Sequence, residues 1–278
     1  MINFKRNLKL LIADDAGEAL DLSGFRVIFK VEKTAQQDPN TAKIQIYNLS
    51  KNTASKIYTK ELTRIVLQAG YDSNCSVIFD GNTVAISQSR NGTDTILDIE
   101  AGDGDQAYTG ALISQTLASG YTQTDVFNES VKSMSAKGVR GSDGQAIDNA
   151  VQYPRGRTIY ATARDNAREV AKYNGANWSI QDGILIADKR DSAEKESVFL
   201  LSPSSGLIGS PSTDKDGINA TCCLNSQLKI YEIVEIKSEY INGFYKILTV
   251  SHEGDTHGNT WVTKIKAVAI GDRKTATS

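Results

Sequence analysis

His252, Glu253, Asp255 and His257 lie close together in the stretch Ser251–Trp261, which reads SHEGDTHGNTW. Two imidazoles with carboxylates between them are the donor set of zinc sites and of hydrolytic centres, so His252, Asp255 and His257 form a candidate metal triad. The competing reading is a hairpin loop. Gly254, Asp255, Thr256, Gly258 and Asn259 have the side chains that turn geometry needs, and alternation resumes beyond them at Trp261, Thr263 and Ile265. The chain holds 2 histidines in all and no CxxC pair, so a third firm ligand is missing and the residues favour the loop.

Other carboxylates invite the same question. Asp103 and Asp105, in the run GDGD from Gly102, could act as an acid and base pair, but the flanking glycines indicate a turn. Asp182, before Gly183, has the place of a hairpin residue. There is no GxSxG, HExxH or phosphate-binding loop, and Gly206–Gly209 opens no helix whose N-terminus could hold an anion. The residues give no positive sign of catalysis: the expectation is a protein that is not an enzyme, with no cofactor and no metal.

Composition narrows the class. The 278 residues are 40% hydrophobic and 23% charged, ordinary for a folded protein, and the length suits two domains or one elaborated one. With 31 basic and 33 acidic residues there is no excess of Lys and Arg to bind a phosphate backbone. No run reaches the roughly 18 to 20 apolar residues that cross a bilayer, and the early apolar stretch Leu8–Ala13 lacks the flanks of a signal peptide. Neither a membrane nor a leader is therefore expected. Cys75, Cys222 and Cys223 are an odd set with one adjacent pair, which predicts reduced thiols and folding in a cytosol.

The elements follow from periodicity. Phe25, Val27, Phe29 and Val31 alternate with Arg26, Lys30 and Glu32, with Ile28 alone breaking the pattern, which predicts a half-buried strand over 24–33. Further strands are predicted over 43–48, 63–71, 76–79, 84–89 and 95–101, with turns at Asp80–Asn82, Asn91–Gly92 and Gly102–Gly104. Ser50 is placed to cap a short crossover helix over 51–59. Thr124 is read as the cap of a helix carrying Val126, Phe127, Val131 and Met134, and the polar segment 136–152 as a mobile connection.

A small α/β module comes next: a strand over 158–161, a helix over 163–173 capped by Thr162 and closed by Asn174–Gly175, and a hairpin of 177–181 with 184–187. The charge run 188–196 reads as a solvated face and Ser202–Asp216 as loop. Strands are predicted over 217–224, 231–238, 244–253 and 260–269, with a turn at Asn242–Gly243. The expected fold is mainly β with α+β insertions. Two barrel-like antiparallel β-domains, 1–106 and 200–278, flank a helical connection at 107–156 and the α/β module at 157–199.

These segments, in this order, resemble a known family. KIQIYNLSKNTASKI followed by VLQAGYD, VIFDGNT and DTILDIEAGDGD is similar to the N-terminal β-domain of bacteriophage tail and baseplate hub proteins. TIYATARDNAREVAKYNGANWSIQDGILIA resembles their small α/β module, and GLIGSP with NGFYKILTVSHEGDTHGNTWVTKIKA their closing β-domain. One departure lies at Leu224–Ile230, where that family often has Leu-Asn-Pro and then a glycine.

The resemblance implies a structural subunit of a virion tail, assembled in the bacterial cytoplasm. It implies a homotrimeric ring of pseudo-six-fold symmetry that joins a tail tube to a central spike, most often in a contractile tail. DNA would pass through the lumen without specific binding. Tyr47, Leu49 and Tyr71, at corners and hairpins, are the candidate interface residues. A hub-like adaptor of another contractile injection machine would share this pattern. A tail-associated cell-wall hydrolase would need an inserted lytic domain, for which 107–156 is too short, and a sugar- or peptide-binding module would cluster aromatics, whereas Trp178 and Trp261 fall in separate predicted strands.

Overall fold

A computed structural model describes residues 5–14, 19–59, 63–72, 74–189 and 198–270. In chain order the elements are β1 (Arg6–Ala13), β2 (Ala19–Asp21), β3 (Val27–Thr34), β4 (Thr41–Tyr47), α1 (Lys51–Tyr58), β5 (Arg64–Tyr71), β6 (Asn74–Asn91) and β7 (Asp94–Gly102). There follow α2 (Asp105–Gly110), β8 (Leu112–Leu117), α3 (Gln123–Ser135), β9 (Gly141–Asp143), β10 (Arg157–Thr162), α4 (Ala163–Tyr173), β11 (Asn177–Gln181) and β12 (Ile184–Asp188). The last are β13 (Val198–Leu201), β14 (Leu207–Asp214), β15 (Gly217–Cys223), β16 (Ile233–Lys237), β17 (Asn242–Asp255) and β18 (Trp261–Ala269). The fold is mainly β with α+β insertions, as the alternation predicts.

The chain divides into two compact units, one from the described residues of 1–33, 41–102 and 193–278, the other from 34–40 and 103–192. In the first, strands from both ends of the chain share a single 13-stranded sheet ordered β14-β15-β18-β17-β3-β4-β7-β6-β5-β1-β2, with β16 on β17 and β13 on β16. No barrel closes among the described residues: β17 lies beside β3, which joins the N-terminal and C-terminal strands into one open sheet. Alternation decides which face is buried. Val27, Phe29 and Val31 of β3, Ile44 and Ile46 of β4 and Leu97 and Ile99 of β7 turn into one core with Leu10, Ile12, Phe79 and Trp261. Ser50 caps α1 by accepting from the Thr53 N–H at 3.1 Å, and Ile57 anchors the helix in the same core.

Two turns expected here are strand. Asp80–Asn82 does not reverse the chain: β6 runs unbroken from Asn74 to Asn91, pairing with β5 and then with β7. A Cβ on Gly81 would stand 2.4 Å from the carbonyl oxygen of Gly102, so glycine is required by the approach of a neighbouring backbone. Asn242–Gly243 likewise opens β17. Ser202–Asp216, expected as loop, holds a 3-10 turn at Pro203–Ser205 and then β14, whose ladder with β15 shifts register between Ile208 and Ser212. A bulge lets a Gly- and Pro-containing segment pair at a sheet edge. At the Leu224–Ile230 departure, Asn225 Oδ1 accepts from the Gln227 N–H at 3.0 Å and its carbonyl from the Leu228 N–H at 3.4 Å, so an Asn side chain makes the turn.

The second unit packs α3 and α4 with a two-stranded sheet (β8, β10) and a three-stranded one (β11, β12, β9). Ala163, Ala167, Val170 and Ala171 of α4 form the buried stripe expected of them. Asn166 sits in that stripe because its amide donates to the Val126 carbonyl at 2.9 Å and to Ser130 Oγ at 2.8 Å, which ties α4 to α3. The cap of α3 lies two residues before the expected Thr124: Thr122 and Asp125 form a reciprocal capping box. The following segment is structured at Gly141–Asp143, where β9 pairs parallel with β12, and Val139 and Ile147 are buried. The charge run 188–196 lies almost wholly outside the described residues.

Candidate functional site

The SHEGDTHGNTW stretch forms the end of β17, a loop and the start of β18. Within it the candidate ligands diverge. His252 is buried, with Nδ1 2.8 Å from Thr263 Oγ1. Asp255 pairs with Arg26 at 2.9 Å and accepts from the His257 N–H at 2.9 Å, while the exposed His257 ring meets Thr256 Oγ1 at 2.9 Å. No group of three His, Cys, Asp or Glu able to hold a metal occurs among the described residues.

What the stretch does is build a corner. Thr256 Oγ1 accepts from the Val27 N–H at 3.0 Å, and its own N–H donates to the Val27 carbonyl at 3.0 Å. Arg6 donates to the carbonyls of Gly258 (2.5 Å) and Asn259 (3.0 Å). A Cβ on Gly254 would come within 2.4 Å of the Phe29 ring, which meets Trp261 edge-on at a centroid distance of 5.4 Å. The loop thus fastens β17 and β18 to the start of β3.

Burial, with Lys33 nearby, pushes His252 down to about 3, so the folded protein keeps it neutral. The unfolded chain takes up a proton near the ordinary value of 6.5, so the stabilising contribution is present above that pH and lost as pH falls toward 3. Urea unfolding at pH 7.5 and pH 5 will show a loss of about 2 kcal/mol from this residue, and His252→Gln will remove that part of the pH dependence. An unchanged slope in the variant would show that His252 titrates normally in the fold.

Asp103 does more than shape a turn. In the second unit its buried carboxylate accepts from the N–H groups of Asp182 (2.6 Å) and Gly183 (3.1 Å) and from the Asn40 amide (3.3 Å), clamping the β11–β12 hairpin. Asn40 also donates to the Ile180 carbonyl at 3.0 Å. The candidate interface residues are half-buried. Arg26 lies over the Tyr47 ring at 4.6 Å, whereas Leu49 and Tyr71 pack on the margin of the first core. Burial, with Cys223 alongside, pushes the Tyr71 phenol up to about 12. Cys75, Cys222 and Cys223 are free thiols, and burial drives Cys222 up to about 12.

The feature sequence reasoning missed is the opposite face of the long sheet. Cross-strand register sets Lys43 of β4 against Glu100 of β7, 3.2 Å apart, and Gln45 against Asp98, 2.6 Å apart. Lys30 meets Glu32 at 2.7 Å on β3, Glu253 of β17 meets Lys264 of β18 at 2.7 Å, and Lys266 reaches Asp214 and Asp216 at 3.1 Å each. These exposed pairs stabilise little, but they cancel charge across six strands. Each strand's alternation marks a polar face; which charges meet depends on register, and no local signal reports it.

The sequence matches the family model described as baseplate hub gp41 over residues 10–267. The chain belongs to the baseplate hub gp41 family. It is accordingly a bacteriophage tail protein with a structural place in the baseplate. No curated protein matches the sequence. Among solved structures, this hub-family chain is similar to the 43 kDa tail protein of prophage MuSo2 from Shewanella oneidensis, at 10% identity and TM-score 0.66, covering 95% of this chain and 97% of that one. It is similar to a tail protein from Neisseria meningitidis MC58, at 8% identity and TM-score 0.64, covering 95% and 96%. It also resembles the E. coli c3393 protein, a component of the type VI secretion system, at 8% identity and TM-score 0.60, covering 95% and 77%. At such identities the likeness is one of fold. Among the described residues, no helix of this hub protein is long and apolar enough to cross a membrane.

Proposed function

We propose that this chain is a structural, non-catalytic hub subunit. Three copies close into a ring of pseudo-six-fold symmetry that joins the tail tube to the central spike and leaves a channel for DNA. The observation that carries the reading is the open sheet of the first unit. Among the described residues its path ends at β14 on one side and β2 on the other, each with a single paired neighbour. Such edges offer unpaired backbone groups to another chain, and a head-to-tail contact that repeats with the right rotation closes a ring. The stretches 1–106 and 200–278 supply these edges, with 107–156 and 157–199 between them. Tyr47, Leu49 and Tyr71, at or just beyond the ends of β4 and β5, add a contact surface apart from these edges. Tube, spike and other baseplate proteins are the partners, and assembly takes place in the host cytoplasm.

The charge-paired face of the sheet lines the channel in this reading, because a surface without net positive charge lets DNA pass without retaining it. The likeness of fold to a type VI secretion component supports the same role for a hub-like adaptor of a related injection machine. Light scattering on a sizing column tests the ring. A mass three times the 30.1 kDa subunit, alone or on addition of the spike protein, is the expected result. A chain that stays monomeric with tube and spike proteins both present would overturn it.

A further inference from the structure

The second unit has an unpaired strand edge that faces a helix. β8 pairs with β10 and with no other strand among the described residues. The Ala163 N–H donates to the Ala111 carbonyl at 2.9 Å, which fixes the phase of the ladder. In an antiparallel pair the backbone groups alternate direction, so Ile113, Gln115 and Leu117 point toward β10 and Leu112, Ser114 and Thr116 point away from it. Ser133 of α3 confirms that direction, since its Oγ donates to the Leu112 carbonyl at 2.7 Å. The outward N–H and C=O of Ser114 and Thr116 have no partner among the described residues. Beside this edge runs a groove of about 450 Å³, walled by Gly110–Gln115 on the strand side and by Glu129, Lys132, Ser133, Ala136 and Lys137 on the helix side.

We propose that this groove takes up an extended, acidic segment of a partner protein as a third strand beside β8. A strand edge supplies main-chain hydrogen bonds to any extended chain, and its surroundings choose which one. Alternate side chains of an added strand fall on two faces. One face continues that of Leu112, which is 72% exposed, and of Tyr160, which is 87% exposed opposite Ser114; it suits apolar groups. The other continues that of Ile113, which is buried with Val126 and Met134 of α3, and so meets the helix wall. There Lys132 and Lys137 are exposed and form no ion pair among the described residues, and they outnumber the single Glu129. Carboxylates on the incoming strand complement them.

The probes are two capped heptapeptides of alternating pattern, Thr-Val-Glu-Val-Glu-Val-Thr and the same peptide with Lys for Glu, titrated into the ¹⁵N-labelled full chain. The acidic peptide is expected to shift the Ser114 and Thr116 amides to saturation and slow their hydrogen exchange, and the basic one to leave them in place. Ser114→Pro removes an outward N–H while sparing the ladder to β10, and is expected to weaken binding at least tenfold. Lys132→Glu with Lys137→Glu, both exposed, one on α3 and one in the turn that follows it, is expected to do the same and keeps the test open should the proline variant unfold. Absence of saturable shifts with the acidic peptide, equal shifts with the basic one, or full affinity in both variants would overturn the proposal.

Discussion

Replacing Trp178 by alanine will cost the protein about 3 to 5 kcal/mol of stability, read as a lower urea midpoint. Trp178 lies fully buried on β11 at the centre of the second core, stacked on Tyr108 at a centroid distance of 6.0 Å. That core is built from short elements and alanine-rich faces, with Phe127, Met134, Leu185 and four isoleucines as its other larger members and none the size of the indole, so the void is only partly refilled. Trp178→Phe is the discriminating variant. The indole Nε1 is buried without a hydrogen-bond partner among the described residues, so removing it relieves an unsatisfied donor and offsets part of the lost volume. A loss of about 1.5 kcal/mol or less is expected for phenylalanine. If both variants cost the same, the ring's polar edge rather than its bulk holds the core, and the packing account fails.

The second large effect concerns DNA. Glu100→Lys with Glu253→Lys turns the paired face of the long sheet basic, leaving Lys43 and Lys264 beside new cations instead of carboxylates. The assembled double variant is expected to retain double-stranded DNA at least tenfold more tightly than the parent at about 50 mM salt. The gain will fade by about 200 mM, because each phosphate contact adds close to one power of salt concentration. The control changes Glu169 and Glu239, exposed carboxylates that take no part in these cross-strand pairs, to lysine. A filter-binding assay in which the control gains as much as the test variant would remove the paired face from the channel.

Local physics was readable throughout. Ser50 and Thr162 cap their helices as their side chains and positions indicate. Asp182–Gly183 makes its turn with φ of 52° and 77°, and the alternation of β3, β4, β7 and β18 gave their buried faces. The start of α3 was legible too, since Thr122 has an acid three residues on and Thr124 does not. The SHEGDTHGNTW stretch reads as a loop because its residues supply turn geometry and lack a third ligand, and both grounds are local.

Whether Asp80-Gly81-Asn82 turns or runs straight depends on what lies beside it. The carbonyl of Gly102, brought there by β7, makes glycine a requirement of packing. Ser202–Asp216 has loop composition, yet β15 offers it an edge to pair with. Asn40 and Asp103, distant in sequence, meet around one hairpin. Lys43 faces Glu100 because of a register set by the two buried faces together. The sequence by itself determined the elements, their caps and their buried sides, since those depend on neighbours a few positions away. Only the tertiary structure decided that both ends of the chain share one sheet, which charges cancel across it and which edges stay open, because pairing between distant strands is settled by the whole core.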